Sequence, residues 1–322
     1  MSTTDTSQKN LSLVDVPCPL CGGMDRRYER TLNGYRLVRC LCCGAVHQNP
    51  QCTVGDLMYI YKEKRDAGFL IDLYKRLHTD SVLAEYDRKL AILESLLPTK
   101  GRILDFACAA AYFVEQASRR GWDAHGVDVG DWSRTAAESR GVRNVHVGLL
   151  SELRFPDGYF DVVFAAQVLE HLPSPAGDLA EIRRILRPGG ILYVDVPNYH
   201  TLPIMLNRDD FYLNMPPQHL LYFTPKTLRK LLCDSGFEVD WVRTEGGLKW
   251  ENLIGRPVVS DVADAYRSSS SKSPESARIE AASPMGPSTL KKVLRPLVKT
   301  LFYQWAKVGM VLVALARRPP HC

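Results

Sequence analysis

A chain of 322 residues has room for one full α/β domain and a smaller module. Its hydrophobic fraction of 45% and charged fraction of 24% are those of an ordinary globular protein and exclude fibrous or largely unstructured classes. A net charge of +5 is mild at this length, so nucleic acid is disfavoured as a partner unless that charge is clustered.

The first ten residues, MSTTDTSQKN, are polar and lack the apolar core of an export signal, so a cytoplasmic location is expected. Residues 1–15 are expected to be disordered. Nine cysteines follow, five of them between Cys18 and Cys43. An odd count packed into CxxC pairs favours metal ligation over disulfides. Cys18-Pro-Leu-Cys21-Gly22 and Cys40-Leu-Cys42-Cys43-Gly44 are two CxxCG knuckles separated by eighteen residues. Each turn points two thiolates at one ion, and its glycine lets backbone N–H groups curl toward the sulfurs. Together Cys18, Cys21, Cys40 and Cys43 make a tetrahedral site suited to structural Zn²⁺. Cys42 lies inside the second knuckle and is the alternative ligand. Tyr28 to Leu32 and Tyr35 to Arg39 flank Asn33-Gly34, a hairpin signal, so residues 16–52 read as a zinc ribbon. Residues 53–99 read as a helical connector, with apolar positions at Leu83, Tyr86, Leu90, Leu93 and Leu97.

From Lys100 the pattern alternates apolar strands with amphipathic helices, which predicts a parallel sheet covered on both faces. Strands are expected at Arg102–Phe106, Ala124–Asp128, Val145–Val147, Phe160–Ala166 and Ile191–Val196. Helices are expected at Tyr112–Arg120, Trp132–Arg140 and Pro175–Leu186, with Pro188-Gly189-Gly190 as a turn. Ligands in such sheets bind beyond the carboxyl ends of the strands. That rule singles out Asp105 to Ala111, Asp128, and Gln167 to His171.

The run Ile103-Leu104-Asp105-Phe106-Ala107-Cys108-Ala109-Ala110-Ala111 resembles the first motif of class I S-adenosylmethionine-dependent methyltransferases. Gly126-Val127-Asp128 is similar to their second, Val168-Leu169-Glu170-His171-Leu172 to their fourth-strand region, and Leu186-Arg187-Pro188-Gly189-Gly190 to the turn before strand five. Gln218-His219-Leu220-Leu221-Tyr222-Phe223-Thr224-Pro225 is similar to a ribbon-bearing subgroup, many of whose members act on sugars, polysaccharides or natural products. The resemblance implies a Rossmann-like, seven-stranded α/β domain over residues 100–250 and 306–318. It also implies an S-adenosyl-L-methionine site formed by Asp105, Ala107, Cys108, Ala109, Asp128, Val129, Leu150 and Gln167. Asp105 would orient the methionine amino group, Asp128 would receive the ribose hydroxyls, and Leu149 and Leu150 would lie near the adenine. The family's loop carries glycines where this chain has Ala107, Ala109 and Ala111, and a left-handed conformation costs alanine about 1–2 kcal/mol.

Methyl transfer to a hydroxyl or acidic carbon needs a proton acceptor, and His171 and His219 are the candidate general bases. Tyr199, Tyr212 and Tyr222 offer aromatic surface, either for an acceptor ring or for the core. The irregular stretch from Asn198 to Gln218 reads as a lid or substrate wall. Strands six and seven are expected at Phe237–Arg243 and Val308–Arg317, around an insertion at 251–305 with a mobile linker at 268–288. In that insertion Leu290, Val293, Leu294, Leu297, Val298, Leu301, Phe302 and Trp305 form a helical stripe beside Lys291, Lys292, Arg295 and Lys299. A helix covering the core edge is the first interpretation of that stripe, and a peripheral membrane or lipid-linked-substrate contact the second. The expected activity is methyl transfer to a small-molecule or glycan acceptor, on a sugar hydroxyl or by C-methylation. An RNA methyltransferase holding RNA with its ribbon, and a non-catalytic binding module, are the alternatives. Oligomeric state leaves no mark on the sequence.

Overall fold

The computed structural model describes residues 11–32, 34–62, 66–201, 216–246 and 310–320. The insertion with its basic stripe, and Tyr212, lie outside them. Short strands β1 (Leu13–Val14), β2 (Arg26–Leu32), β3 (Tyr35–Cys40), β4 (Val46–Gln48) and β5 (Gln51–Cys52) come first. Helices α1 (Val54–Lys62), α2 (Ala67–Leu77) and α3 (Asp80–Ser95) follow. Then β6 (Arg102–Phe106), α4 (Tyr112–Arg119), β7 (Asp123–Asp128), α5 (Asp131–Glu138) and β8 (Val145–Val147) alternate, leading to β9 (Phe160–Ala166), α6 (Pro175–Ile185) and β10 (Leu186–Pro197). The chain closes with β11 (Leu221–Tyr222), α7 (Pro225–Asp234), β12 (Glu238–Glu245) and β13 (Val311–Arg317).

The main sheet has seven strands in the order β12-β13-β10-β9-β6-β7-β8. β8, β7, β6, β9 and β10 run parallel, and β13 enters antiparallel between β10 and β12. Strand residues alternate between two cores because successive side chains leave opposite faces of a strand. Ile103, Val162, Phe164, Ile191, Tyr193, Val313 and Leu315 face one way, against Leu90 and Leu93 of α3 and Phe113, Val114 and Ala117 of α4. Leu104, Val163, Leu192, Leu312 and Ala314 face the other, against Leu179, Ile182 and Ile185 of α6 and Leu228, Leu231 and Leu232 of α7. The β6–β9 switch in strand order therefore opens a crevice beyond the carboxyl ends of these strands.

Three expectations change. The segment 53–99 is not a mere connector: the stripe that includes Tyr86, Leu90 and Leu93 covers one face of the sheet, so α3 belongs to the domain. Pro188-Gly189-Gly190 does not stand apart as a turn. It lies inside β10, where the register with β9 shifts between Leu186 and Ile191. Part of the 1–15 stretch is ordered, because Leu13 and Val14 pair antiparallel with Cys52 and Gln51, and Ser12 N–H reaches Asp56 Oδ2 at 2.8 Å.

The ribbon is fastened to the domain by backbone. The β2–β3 hairpin forms as its Asn-Gly signal predicts, and β3 continues to β4. The fourth strand of that sheet is β11, from far along the chain, with Leu221 opposite His47 and Tyr222 opposite Val46. Leu32, Leu37 and Val46 of the ribbon bury against Tyr199, Tyr222 and Met310. Both tyrosines are thus core residues at this junction and do not form an aromatic acceptor wall.

Candidate functional site

The crevice is built around Asp128 at the end of β7. Its Oδ2 accepts the Ala109 N–H and its Oδ1 the Gly130 N–H, both at 2.9 Å. The same loop is held by Cys108 N–H donating to Val127 O at 2.9 Å. Ala107, Ala109 and Ala111 have φ of 65°, 46° and 60°, so all three stand in the left-handed region where glycine is usual. The chain keeps the glycine-type backbone with alanines and carries the strain. Cys108 is turned inward: a Cβ on Gly126 would lie 2.7 Å from its Sγ, which is why β7 has glycine there. Val129 is half-buried beside Asp128. The Leu150 side chain packs in the core with Leu104 and Val127, whereas Leu149 is 39% exposed and is the apolar side chain presented outward.

Carboxylates crowd the strand ends. Asp105, at the end of β6, is pushed up to about 8 by burial and then by the like charge of Asp128. Burial raises Asp128 as well, with the N–H groups of Gly130 and Ala109 opposing. Further along, Asp195 on β10 accepts from Lys89 Nζ at 2.6 Å and from Gln167 Nε2 at 2.7 Å. Gln167 N–H also donates to Asp195 O at 2.7 Å, and its φ of 54° turns the chain sharply after β9. Tyr86 stands between the acids: after burial, Asp105 and Asp195 are the charges that raise its hydroxyl. Lys89, Tyr86 and Asp195 were not singled out in the sequence. Lys89 lies on the α3 stripe, and a lysine there among Tyr86, Leu90 and Leu93 was the available signal.

A second cluster of polar side chains lies past Gln167. A one-turn 3-10 helix (Leu169–His171) sets Glu170 inward, 1% exposed, and His171 half-buried. His171 Nδ1 is 3.0 Å from Gln218 O and 3.0 Å from the Tyr61 hydroxyl of α1. The Gln218 carbonyl only accepts, so in the tautomer that pairs with it the proton sits on Nδ1. His219 is 3% exposed and meets His171 edge-on, ring centroids 4.7 Å apart. The structure therefore brings both predicted histidines together, and adds Glu170 and Tyr61 to them. Leu220 ties these segments: its N–H donates to Glu170 O at 2.8 Å and its carbonyl accepts from Gln48 N–H of the ribbon at 2.9 Å.

At the ribbon, the sulfurs of Cys18, Cys21, Cys40 and Cys43 lie within 4.8 Å of one another, while Cys42 points outward. Cys18 and Cys43, and Cys21 and Cys40, approach to 3.6 Å. Four sulfurs about 2.3 Å from one tetrahedral ion would be roughly 3.8 Å apart, so the set fits Zn²⁺.

The strand order, the reversed β13 and the acidic residues ending β6 and β7 define a class I S-adenosylmethionine-dependent methyltransferase fold. Over residues 77–241, more than half of its length, the sequence matches the family described as "Methyltransferase domain", and the chain belongs to that family. A SAM dependent methyltransferase from Archaeoglobus fulgidus shares the fold with a TM-score of 0.50 and 19% identity, over 74% of this chain and 93% of that one. The Ubiquinone biosynthesis O-methyltransferase of Aeromonas salmonicida is 30% identical over 143 residues, 40% of this chain and 60% of that protein. The protein of the same name from Roseobacter denitrificans is 35% identical over 119 residues, 35% of this chain and 47% of that protein. The chain thus spans about half the length of the curated relatives it matches.

Two predictions follow from the loop and its acids. A cationic ligand placed beside Asp105 favours the ionised carboxylate, whereas burial and the neighbouring Asp128 push that carboxyl up to about 8. Cofactor affinity is therefore expected to fall as pH drops from 8 to 6, by up to about tenfold per unit, with proton release on binding measurable in buffers of different ionisation enthalpy. The same shift makes the free protein lose stability as pH rises from the unfolded value of 3.8 toward about 8, because the folded state holds this proton longer. Separately, Ala107→Gly removes an exposed left-handed alanine. Relief of about 1–2 kcal/mol less about 0.4–1 kcal/mol of added chain entropy leaves a net gain of roughly 0.5–1 kcal/mol, read as a higher melting temperature.

Proposed function

We propose that this protein transfers the methyl group of S-adenosyl-L-methionine to an oxygen of a small-molecule or glycan acceptor. The observation that carries this reading is the pair Asp105 and Asp128 at the ends of adjacent strands, Asp105 buried and Asp128 holding the N–H groups of Ala109 and Gly130, with burial pushing both carboxyls up. A pocket that holds two acids in this state suits a positively charged ligand, which restores their ionisation. When bound, the cofactor supplies an electrophilic methyl on a sulfonium. Asp128 would hold the ribose hydroxyls with lone pairs left over from Ala109 and Gly130. Asp105 would hold the methionine ammonium. Gln167 would stand at the join between cofactor and acceptor, fixed by Asp195 and Lys89. His171 and His219, whose rings meet past Gln167, would handle the acceptor's proton.

The oxygen acceptor is supported by the relatives from Aeromonas salmonicida and Roseobacter denitrificans, which are named as O-methyltransferases. A sugar or polysaccharide acceptor, C-methylation and a cytoplasmic location rest on the sequence resemblance alone. For the ribbon we propose a structural Zn²⁺ on Cys18, Cys21, Cys40 and Cys43, whose four thiolates leave no open position. Its role is to hold β4, and through β11 the backbone beside Glu170 and His219. RNA is the weaker reading for the ribbon, because Arg26 pairs with Asp15, Arg39 with Glu29, and Arg36 donates to Asn49 O.

Calorimetry with S-adenosylmethionine on zinc-replete protein tests the proposal. The expected result is micromolar binding, weakened at least tenfold by Asp128→Ala, with one zinc per chain by elemental analysis. Absence of binding by the intact protein would instead favour a non-catalytic module.

A further inference from the structure

We infer that Glu170, His171 and His219 form a second metal site, one that takes a divalent first-row transition cation on the acceptor side of the crevice. One ligand atom from each residue lies within 4.8 Å of the others. His171 Nε2 is 3.9 Å from Glu170 Oε1. Two ligands about 2.1 Å from one ion in adjacent positions stand about 3.0–3.5 Å apart, so a small closure seats a cation between them.

Three features point to an ion rather than to an ordinary buried contact. Both carboxylate oxygens of Glu170 are buried and have no hydrogen-bond partner among the described residues. A buried carboxylate left without a partner costs several kcal/mol, which a divalent charge offsets. The second feature is the tautomer. The Gln218 carbonyl holds the proton on His171 Nδ1, which is the arrangement a ligating histidine needs from its surroundings. The third is the backbone: Leu220 N–H to Glu170 O locks the turn that carries Glu170 and His171 to the segment that carries His219. Three donors from two distant segments are thereby fixed before any ligand arrives.

The donor set states the class of ion. Two imidazoles and one carboxylate favour Mn²⁺, Fe²⁺, Co²⁺, Ni²⁺ or Zn²⁺ over Mg²⁺ or Ca²⁺, which prefer all-oxygen shells. Three protein ligands leave positions open, as catalytic rather than structural sites do. The substrate class that fits has a hydroxyl beside a second oxygen, able to take two of those positions. Such a cation lowers the hydroxyl's pKa. The proton leaves to water, the oxygen forms its bond to the methyl carbon, and the carbon–sulfur bond breaks with its electron pair staying on sulfur. His171 and His219 then act on the acceptor's proton as ligands of the cation, not as bases. This role rests on the methyl-transfer reading, whereas binding of the ion does not.

The test uses protein carrying a single equivalent of Zn²⁺ per chain, which the four ribbon thiolates take in preference to an imidazole–carboxylate site, and titrates Mn²⁺ while free Mn²⁺ is followed by electron paramagnetic resonance. One Mn²⁺ per chain is expected, bound at least tenfold more weakly in Glu170→Gln and in His219→Gln. Glu170→Gln keeps the side-chain shape, and thermal unfolding identifies a variant that has lost its fold. Failure of the wild-type protein to bind Mn²⁺, or equal binding by folded Glu170→Gln, overturns the site. Mn²⁺ binding in a protein that shows no affinity for S-adenosylmethionine upholds the site and removes the methyl-transfer reading, so the two fail separately.

Discussion

The site depends on one carboxylate with two backbone obligations. Asp128 accepts from Ala109 N–H with one oxygen and from Gly130 N–H with the other, so a single side chain joins the loop after β6 to the loop after β7. That tie holds Ala107, Ala109 and Ala111 in a conformation alanine resists. The loop's curl, the start of α4 at Ala111 and the approach of Asp105 to Asp128 all follow from it. At Ala111, which is fully buried, the surrounding packing helps to hold that conformation, whereas Ala107 is exposed.

The second constraint is that ribbon and domain share a sheet. β11 is only Leu221–Tyr222, yet it completes the ribbon's four strands and follows directly on His219 and Leu220. The ribbon's cysteine knuckles therefore bear on the geometry of the histidine pair, although no knuckle cysteine is among the residues that form it. Tyr61 works in the same direction, bringing the helix after the ribbon to His171. The N-terminal module is in this sense a wall of the cluster formed by Glu170, His171 and His219.

Much of this was legible in sequence where local pattern decides structure. The parallel strands appear close to their expected places because each is a short apolar run between turn residues, buried on both faces. The hairpin around Asn33-Gly34 and the two knuckles are likewise local signals. What could not be read is what long-range packing decides. The Lys89–Asp195 pair joins residues 106 apart in sequence, and Lys89 looked like one more charge on a helix. Tyr199 and Tyr222 offered ring surface on paper and proved to be the seam between modules. Glu170 sat inside a recognised motif without a role, because nothing in Leu-Glu-His-Leu says that its carboxylate faces inward beside a histidine from position 219. Which of Leu149 and Leu150 enters the core was hidden for a similar reason: a single turn buries Leu150 and leaves Leu149 outward.

The most direct test of the account is hydrogen–deuterium exchange with and without S-adenosylmethionine. Slowed exchange in the backbone of 107–111 and 128–130, the two loops that Asp128 joins, is the predicted result. Unchanged exchange in both loops at saturating cofactor would contradict the claim that this carboxylate-held loop is the cofactor's seat.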